Sequence, residues 1–237
     1  MCCILTTSSY LKRMGRSLNH VLSNRAFIAM MSMFSGLFVQ CSKPFPEGGA
    51  VSLLSLATAV DHYIFATAAT YDGDLRTAGG GATGIEGADN LCALAKDNEQ
   101  PALPGTGSEY RALLVDSGNR VACTSINCAG GISENVNWVL RANTSYKRPD
   151  GTVVFTTNAS GIFLMTAGLN APLAAAGQWW TGMDDEWNEV LSSCSDWSAT
   201  VGNGFVGVGG VTDVTAITDG GVSLADCSVA RSLLCVR

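Results

Sequence analysis

The chain has 237 residues, with 14 Lys and Arg against 20 Asp and Glu, and a formal net charge of −6. Nucleic-acid binding needs clustered Lys and Arg that release counterions, and electrostatic capture on anionic lipid needs the same charge. This sparse, acidic composition therefore argues against a nucleic-acid partner and against attachment to a membrane surface by charge. The apolar fraction of 47% is enough for a sizeable core.

The first 41 residues are typical of an export leader. Basic residues precede an apolar run over 26–39, which is too short to span a bilayer as a stable helix. Cys41 follows this run, where a lipoprotein signal peptidase would cut, so Cys41 is the predicted lipidation site. Residues 38–40 fit the common bacterial lipobox imperfectly and resemble the looser spirochaete form. Cleavage without lipid and a retained anchor are the alternatives.

Three parts are predicted along the chain. Residues 1–41 are the signal peptide, with translation starting at Met1 or Met14, and residues 42–61 are a tether that begins with prolines and glycines. Residues 62–237 are the folded domain. The expected location is the cell envelope, with the outer membrane and its surface favoured, and the lipid anchor is the only membrane contact expected.

The folded domain is predicted to combine one main helix with short strands and long loops. One face of the helix predicted over 87–96 carries apolar side chains at i, i+3, i+4 and i+7: Ala88, Leu91, Cys92 and Ala95. β-branched, aromatic and apolar runs predict strands at 63–67, 111–115, 136–140, 152–157 and 232–236. This combination predicts an α+β domain.

Six cysteines follow the leader: Cys92, Cys123, Cys128, Cys194, Cys227 and Cys235. An even number behind an export signal predicts three disulfides rather than six reduced thiols. Cys123 and Cys128 are close enough in sequence to close a small loop, but the sequence alone leaves the pairing open. A zinc site is disfavoured, because no Cys-x2-Cys pair occurs after the leader and His62 is the only histidine there.

A series of motifs runs through the domain in this order: Gly84–Asp89 with Cys92 on a helix, Tyr110–Leu114, Asp150-Gly151 before a strand, Trp180–Gly182, Cys194 with Trp197, and Cys227 followed by Leu233–Val236. The order resembles the C-type lectin-like fold, and within it the endostatin-like branch. More narrowly, residues 62–237 resemble the uncharacterised lectin-like domain family of leptospiral lipoproteins.

The resemblance has implications for both the disulfides and the function. It implies three pairs: Cys92 with Cys235, Cys194 with Cys227, and Cys123 with Cys128. It also implies non-catalytic binding of a macromolecule, protein or glycan, with host extracellular-matrix or plasma proteins as the ligands of an adhesin. The alternatives are a structural envelope lipoprotein that faces the periplasm, and a carbohydrate binder with a non-standard site.

An acidic turn is the candidate binding site of the domain. Its candidate contact residues are Asp184, Asp185, Glu186, Trp187 and Asn188. An exposed aromatic ring among polar groups is typical of protein and glycan contacts, although Trp187 would otherwise belong to the core. Asp184, Asp185 and Glu189 are weak candidate ligands for Ca²⁺, the only cofactor considered, and a solvated turn is the alternative.

No catalytic site is predicted. A histidine-based triad would have to use His62, and no Gly-x-Ser-x-Gly nucleophile elbow occurs. Asp184 and Asp196 could form a carboxylate pair, but only their proximity in sequence favours it. The sequence therefore favours a binding protein over an enzyme.

Overall fold

The domain is a mixed α+β structure built on one five-stranded sheet. The computed structural model describes residues 60–218 and 224–237. The strand order in this main sheet is β2-β9-β1-β3-β4. Its strands are β1 (His62–Ala66), β2 (Arg111–Ala112), β3 (Ser145–Lys147), β4 (Val153–Thr156) and β9 (Leu234–Val236). β1 and β3 are parallel, and the other neighbouring strands are antiparallel.

Two small two-stranded sheets organise the loops between β4 and β9. The first pairs β5 (Gln178–Trp180) with β7 (Val206–Val208), and the second pairs β6 (Asn203–Gly204) with β8 (Ala225–Asp226). The other described residues of this region form mainly turns, irregular chain and single-turn helices. The predicted combination of short strands with long loops is therefore observed.

Two helices lie between β1 and β2: α1 (Leu75–Gly79) and α2 (Gly84–Glu99). The Thr83 hydroxyl accepts a hydrogen bond from the backbone N–H of Glu86 at 3.1 Å and caps α2. The predicted inward face is buried, with Ala88 and Cys92 fully inaccessible. Among the described residues, no helix combines the length and the apolar character that a membrane span requires.

Strand prediction was wrong over 136–140. Only Val136 pairs there, in an isolated bridge with Val121. Asn137 has a positive φ of 50°, which is incompatible with extended backbone, and the chain leaves the pairing at this point. The predicted leader, its Cys41, and all but the last two residues of the tether lie outside the described residues.

Two hydrophobic clusters fill the interior of the domain. The helix-side core includes Phe65, Leu91 and Trp180. The loop-side core includes Ile64, Phe155 and Trp179. Because successive side chains of a strand point to opposite faces, the neighbours Ile64 and Phe65 enter different cores, and so do Trp179 and Trp180.

Asp89 of α2 holds a buried arginine. Its two carboxylate oxygens accept hydrogen bonds from Nη1 and Nη2 of Arg120 at 2.9 and 2.6 Å. The backbone N–H of Ala112 and Nε of Arg111 donate to the same carboxylate at 2.9 and 3.1 Å. The Arg120 side chain is fully buried, and this burial lowers the pKa of its guanidinium. These contacts join α2 to β2 and to the loop after it.

Three disulfides are present. Cys92–Cys235 joins α2 to β9 across 143 residues, Cys194–Cys227 spans 33 residues, and Cys123–Cys128 spans 5 residues. These are the three pairs that the lectin-like resemblance implied. The first connects the helix-side core to the central part of the main sheet, and the last holds only a local loop.

Replacing both cysteines of Cys92–Cys235 by alanine should destabilise the domain far more than the same change at Cys123–Cys128. The cross-link limits the unfolded chain more when the loop it closes is longer, so the expected losses are about 5 and about 2 kcal/mol. Urea unfolding of the two double variants under oxidising conditions measures the difference. Equal losses, or a larger loss for the small loop, would contradict this account.

Candidate functional site

The acidic turn is closed by one of its own carboxylates. Oδ1 of Asp184 accepts hydrogen bonds from the backbone N–H groups of Glu186 and Asn188, at 2.9 and 2.8 Å. Met183 and Glu189 pair across the turn in an isolated bridge. Asp184 is therefore committed to the conformation of the turn.

Trp187 is a core residue, so the exposed ring expected for a ligand contact is not observed. Its φ of 67° turns the ring inward, where its accessible surface falls to 0%. The ring meets Phe163 edge-on with centroids 4.7 Å apart, and its Nε1 donates to the Phe163 carbonyl at 3.0 Å. A large aromatic ring with a satisfied N–H is favoured in the core even when its neighbours in sequence are acidic.

The backbone of the acidic turn is joined to the small disulfide loop. The N–H of Cys123 donates to the Trp187 carbonyl at 3.2 Å, and the N–H of Asn127 donates to the Glu186 carbonyl at 3.0 Å. Asp185 stays exposed, and Glu186 and Asn188 are half-buried. The described residues contain no group of three His, Cys, Asp or Glu side chains placed to hold a metal ion. The three calcium candidates are accordingly not assembled as a metal site.

A depression of about 500 Å³ opens directly after the acidic turn. Its polar lining includes Ser117, Glu189 and Asp196. Leu191 and Val201 also line it and are 95% and 73% exposed. We call it the loop depression. Of the acidic residues considered from sequence, Glu189 and Asp196 line it, whereas Asp184 does not.

One wall of the loop depression is a left-handed turn. The four residues Cys194–Trp197 have φ values of 51°, 54°, 56° and 60°. Non-glycine residues in this conformation cost roughly 1–2 kcal/mol each, so the surrounding structure must hold the turn in place.

Three contacts fix the left-handed turn. Cys194 is bonded to Cys227, and the buried Trp197 donates from Nε1 to the Val115 carbonyl at 2.7 Å. The carboxylate of Asp196 accepts from both the backbone N–H and the hydroxyl of Ser117, at 3.1 and 2.9 Å. The turn also packs against Gly84 at the start of α2, where a Cβ would lie 2.2 Å from the Asp196 carbonyl oxygen.

The electrostatics of the loop depression are negative. Partial burial raises the pKa of the Glu189 carboxyl, and the nearby carboxylates of Asp196 and Asp116 raise it further. Among the described residues that line the depression, none carries a positive charge. The site suits a ligand that brings positive charge together with apolar surface.

Sequence reasoning missed Leu191, Val201 and Ser117 as site residues. A single leucine or valine in a glycine- and serine-rich stretch is normally assigned to the core, and Ser117 lies more than seventy positions before the turn that it contacts. The missed apolar residues are exposed because tertiary contacts fix the loops around them.

Glu189→Gln should raise the melting temperature at pH 7. When the pKa of a carboxyl is higher in the folded state than in the unfolded state, protonation of that carboxyl stabilises the fold. This stabilisation is complete below the unfolded-state pKa and is lost as the pH rises through the folded-state pKa. The wild type therefore becomes more stable on acidification. Its melting temperature should equal that of the variant below the ordinary carboxyl pKa of about 4.3. Thermal unfolding across this pH range measures the effect.

Asp185→Asn is the matched control, because it removes an exposed carboxylate from the same acidic turn and should change stability little. A loss of stability in Glu189→Gln at pH 7 would show that the Glu189 carboxylate makes a favourable contact, contrary to this description.

Comparison with known proteins assigns the chain to a family. No curated protein matches the chain. A family model with the description "Protein of unknown function (DUF1554)" matches residues 76–215, which include all of α2, α1 except its first residue, the acidic turn and the left-handed turn. Because this match covers more than half of the 237 residues, the chain belongs to the DUF1554 family.

Proposed function

We propose that this protein is a lipid-anchored, non-catalytic binding protein of the cell envelope, and that it holds a protein ligand at the loop depression. Its anchor would be the lipidated Cys41, and its ligands would be extracellular-matrix or plasma proteins of a host. The location and the anchor rest on the leader pattern.

A C-type lectin-like fold is part of the proposal. Its support is the pairing of β1 with β9, which brings the first and last strands together, and the Cys92–Cys235 bond from α2 to β9. The Cys194–Cys227 bond within the loop region adds to this support. In such an arrangement, the residues that bind ligands lie on loops that a small rigid sheet supports.

The observation that carries the proposal is the exposure of two aliphatic side chains beside a negative depression. Leu191 is 95% exposed and Val201 is 73% exposed, and both line the same depression. Aliphatic surface next to polar groups is typical of surfaces that bind another protein. The Asp196 carboxylate accepts a hydrogen bond from the Ser117 hydroxyl. Because this carboxylate is already engaged, binding is favoured over acid–base chemistry at this position.

A protein ligand is favoured over a glycan by the lining of the depression. Among the described residues, the lining contains serine hydroxyls, two carboxylates and aliphatic side chains, but no aromatic ring on which a sugar could stack. Trp179, Trp180, Trp187 and Trp197 are all fully buried. The carbohydrate alternative would therefore have to rely on polar contacts alone.

Protease treatment of intact cells should degrade the domain if it faces the host. Immunoblots before and after opening the outer membrane measure its accessibility, with a periplasmic protein as the control for membrane integrity. Complete protection in intact cells would contradict the adhesin proposal and favour the structural lipoprotein that faces the periplasm.

Leu191→Glu should weaken capture of a matrix or plasma protein by about tenfold or more. The substitution replaces exposed apolar surface with a negative charge in a depression that is already negative. The full chain, solubilised in detergent, is immobilised and tested against purified matrix and plasma proteins by surface plasmon resonance.

Leu94→Glu is the control for this experiment, because Leu94 is also an exposed leucine, 56% accessible, but lies on α2. It should leave capture unchanged. Equal binding by Leu191→Glu and the wild type would exclude the loop depression as the contact site.

A further inference from the structure

A second pocket lies at the edge of the main sheet where β1 and β2 begin and β9 ends. Its volume is about 290 Å³, and its lining includes His62, Arg111, Arg141 and Arg237. Strand pairing assembles it: Arg111 is opposite Val236 in the register of β2 and β9, and the N–H of Arg237 donates to the Tyr63 carbonyl at 3.0 Å. We call it the basic pocket.

The basic pocket concentrates positive charge in an acidic protein. The described residues contain nine Lys and Arg: Arg76, Lys96, Arg111, Arg120, Arg141, Lys147, Arg148, Arg231 and Arg237. Three of these nine line one small pocket, where among the described residues they outnumber the two carboxylates, the Glu109 side chain and the backbone carboxylate of Arg237. The local charge therefore has the opposite sign to that of the whole chain.

The guanidinium groups of this pocket keep donors available. Arg111 donates from Nε to Asp89 and from Nη2 to Asn137, which leaves its Nη1, and Arg237 places Nε 3.2 Å from Oε2 of Glu109. Within the described residues, both Nη atoms of Arg237 and the whole exposed guanidinium of Arg141 make no hydrogen bond. Nδ1 of His62 lies 2.7 Å from a backbone carboxylate oxygen of Arg237, the last residue of the sequence, so Nε2 is its remaining ring nitrogen.

We propose that the basic pocket binds a tetrahedral oxyanion, phosphate or sulfate, with Arg141 and Arg237 as its principal donors. Guanidinium groups present N–H donors in a planar fork that matches the oxygens of such groups. Donors that reach one pocket from β1, from the segment before β3 and from the residue after β9 suit an anion with oxygens on several sides better than a planar carboxylate. A pocket of this size holds one such group, which agrees with the absence of an extended basic tract for nucleic acid.

The basic pocket is separate from the loop depression. Arg111 lines the pocket and Ser117 lines the depression, and the two linings have no residue in common. Oxyanion binding is thus an additional property, and its test does not depend on the protein ligand.

Inorganic sulfate should bind the full chain in detergent with saturable NMR shifts at the Arg141 and Arg237 side chains, measured at constant ionic strength against chloride. Arg141→Gln should raise the Kd about tenfold. Glu109→Gln should lower it about threefold, because it releases Arg237 from an exposed ion pair. Phosphate is titrated in the same way, and acetate serves as the planar anion.

Arg76→Gln is the matched control, since Arg76 is an exposed arginine on α1, and it should leave sulfate binding unchanged. Absence of saturable shifts, or an equal loss in the Arg76 and Arg141 variants, would overturn the site. Acetate binding as tight as sulfate binding would overturn the preference for a tetrahedral anion. The opposite signs expected for Arg141→Gln and Glu109→Gln separate specific binding from general charge effects.

Discussion

The paired hydrogen bonds between Asp89 and the buried Arg120 hold α2 against the main sheet, and the rest of the domain is arranged around that contact. Removing one partner from a buried ion pair leaves an uncompensated charge, so the two residues depend on each other. Cys92, three residues after Asp89 and nearly one turn along α2, adds the covalent link to β9. One helix face therefore carries both the ionic and the covalent attachment of α2 to the sheet.

This attachment also positions the loop depression. Asp116 accepts hydrogen bonds from the N–H groups of Asn119 and Arg120, which turns the chain so that Arg120 returns to α2 while Ser117 faces Asp196. The left-handed turn at Cys194–Trp197 is unfavourable in an isolated chain and persists because this loop, a disulfide and the buried Trp197 ring hold it. The loop depression thus depends on contacts between segments far apart in sequence.

The sequence predicted those features of the fold that depend on local periodicity and on the chemistry of the cysteines. The inward face of α2 follows from spacing alone, and the α+β class follows from one helix with many short apolar runs. Strand β3 was not predicted, because three residues are too few to show an alternating pattern. Residues 136–140 were wrongly predicted as a strand, because their apolar composition gives no sign of the positive φ at Asn137. Trp187 is buried although its acidic neighbours indicate exposure, because long-range packing against Phe163 decides its position.

The two proposed sites differ in charge and are joined by the segment from Arg111, which lines the basic pocket, to Ser117, which lines the loop depression. The fully buried Leu113 and Leu114 lie within this segment, and each packs in a different core. Movement of the segment would therefore disturb both cores, which makes conformational coupling between the two sites through it costly. The two linings have no residue in common. We therefore expect that a protein at the loop depression and an oxyanion at the basic pocket would not compete for the same side chains.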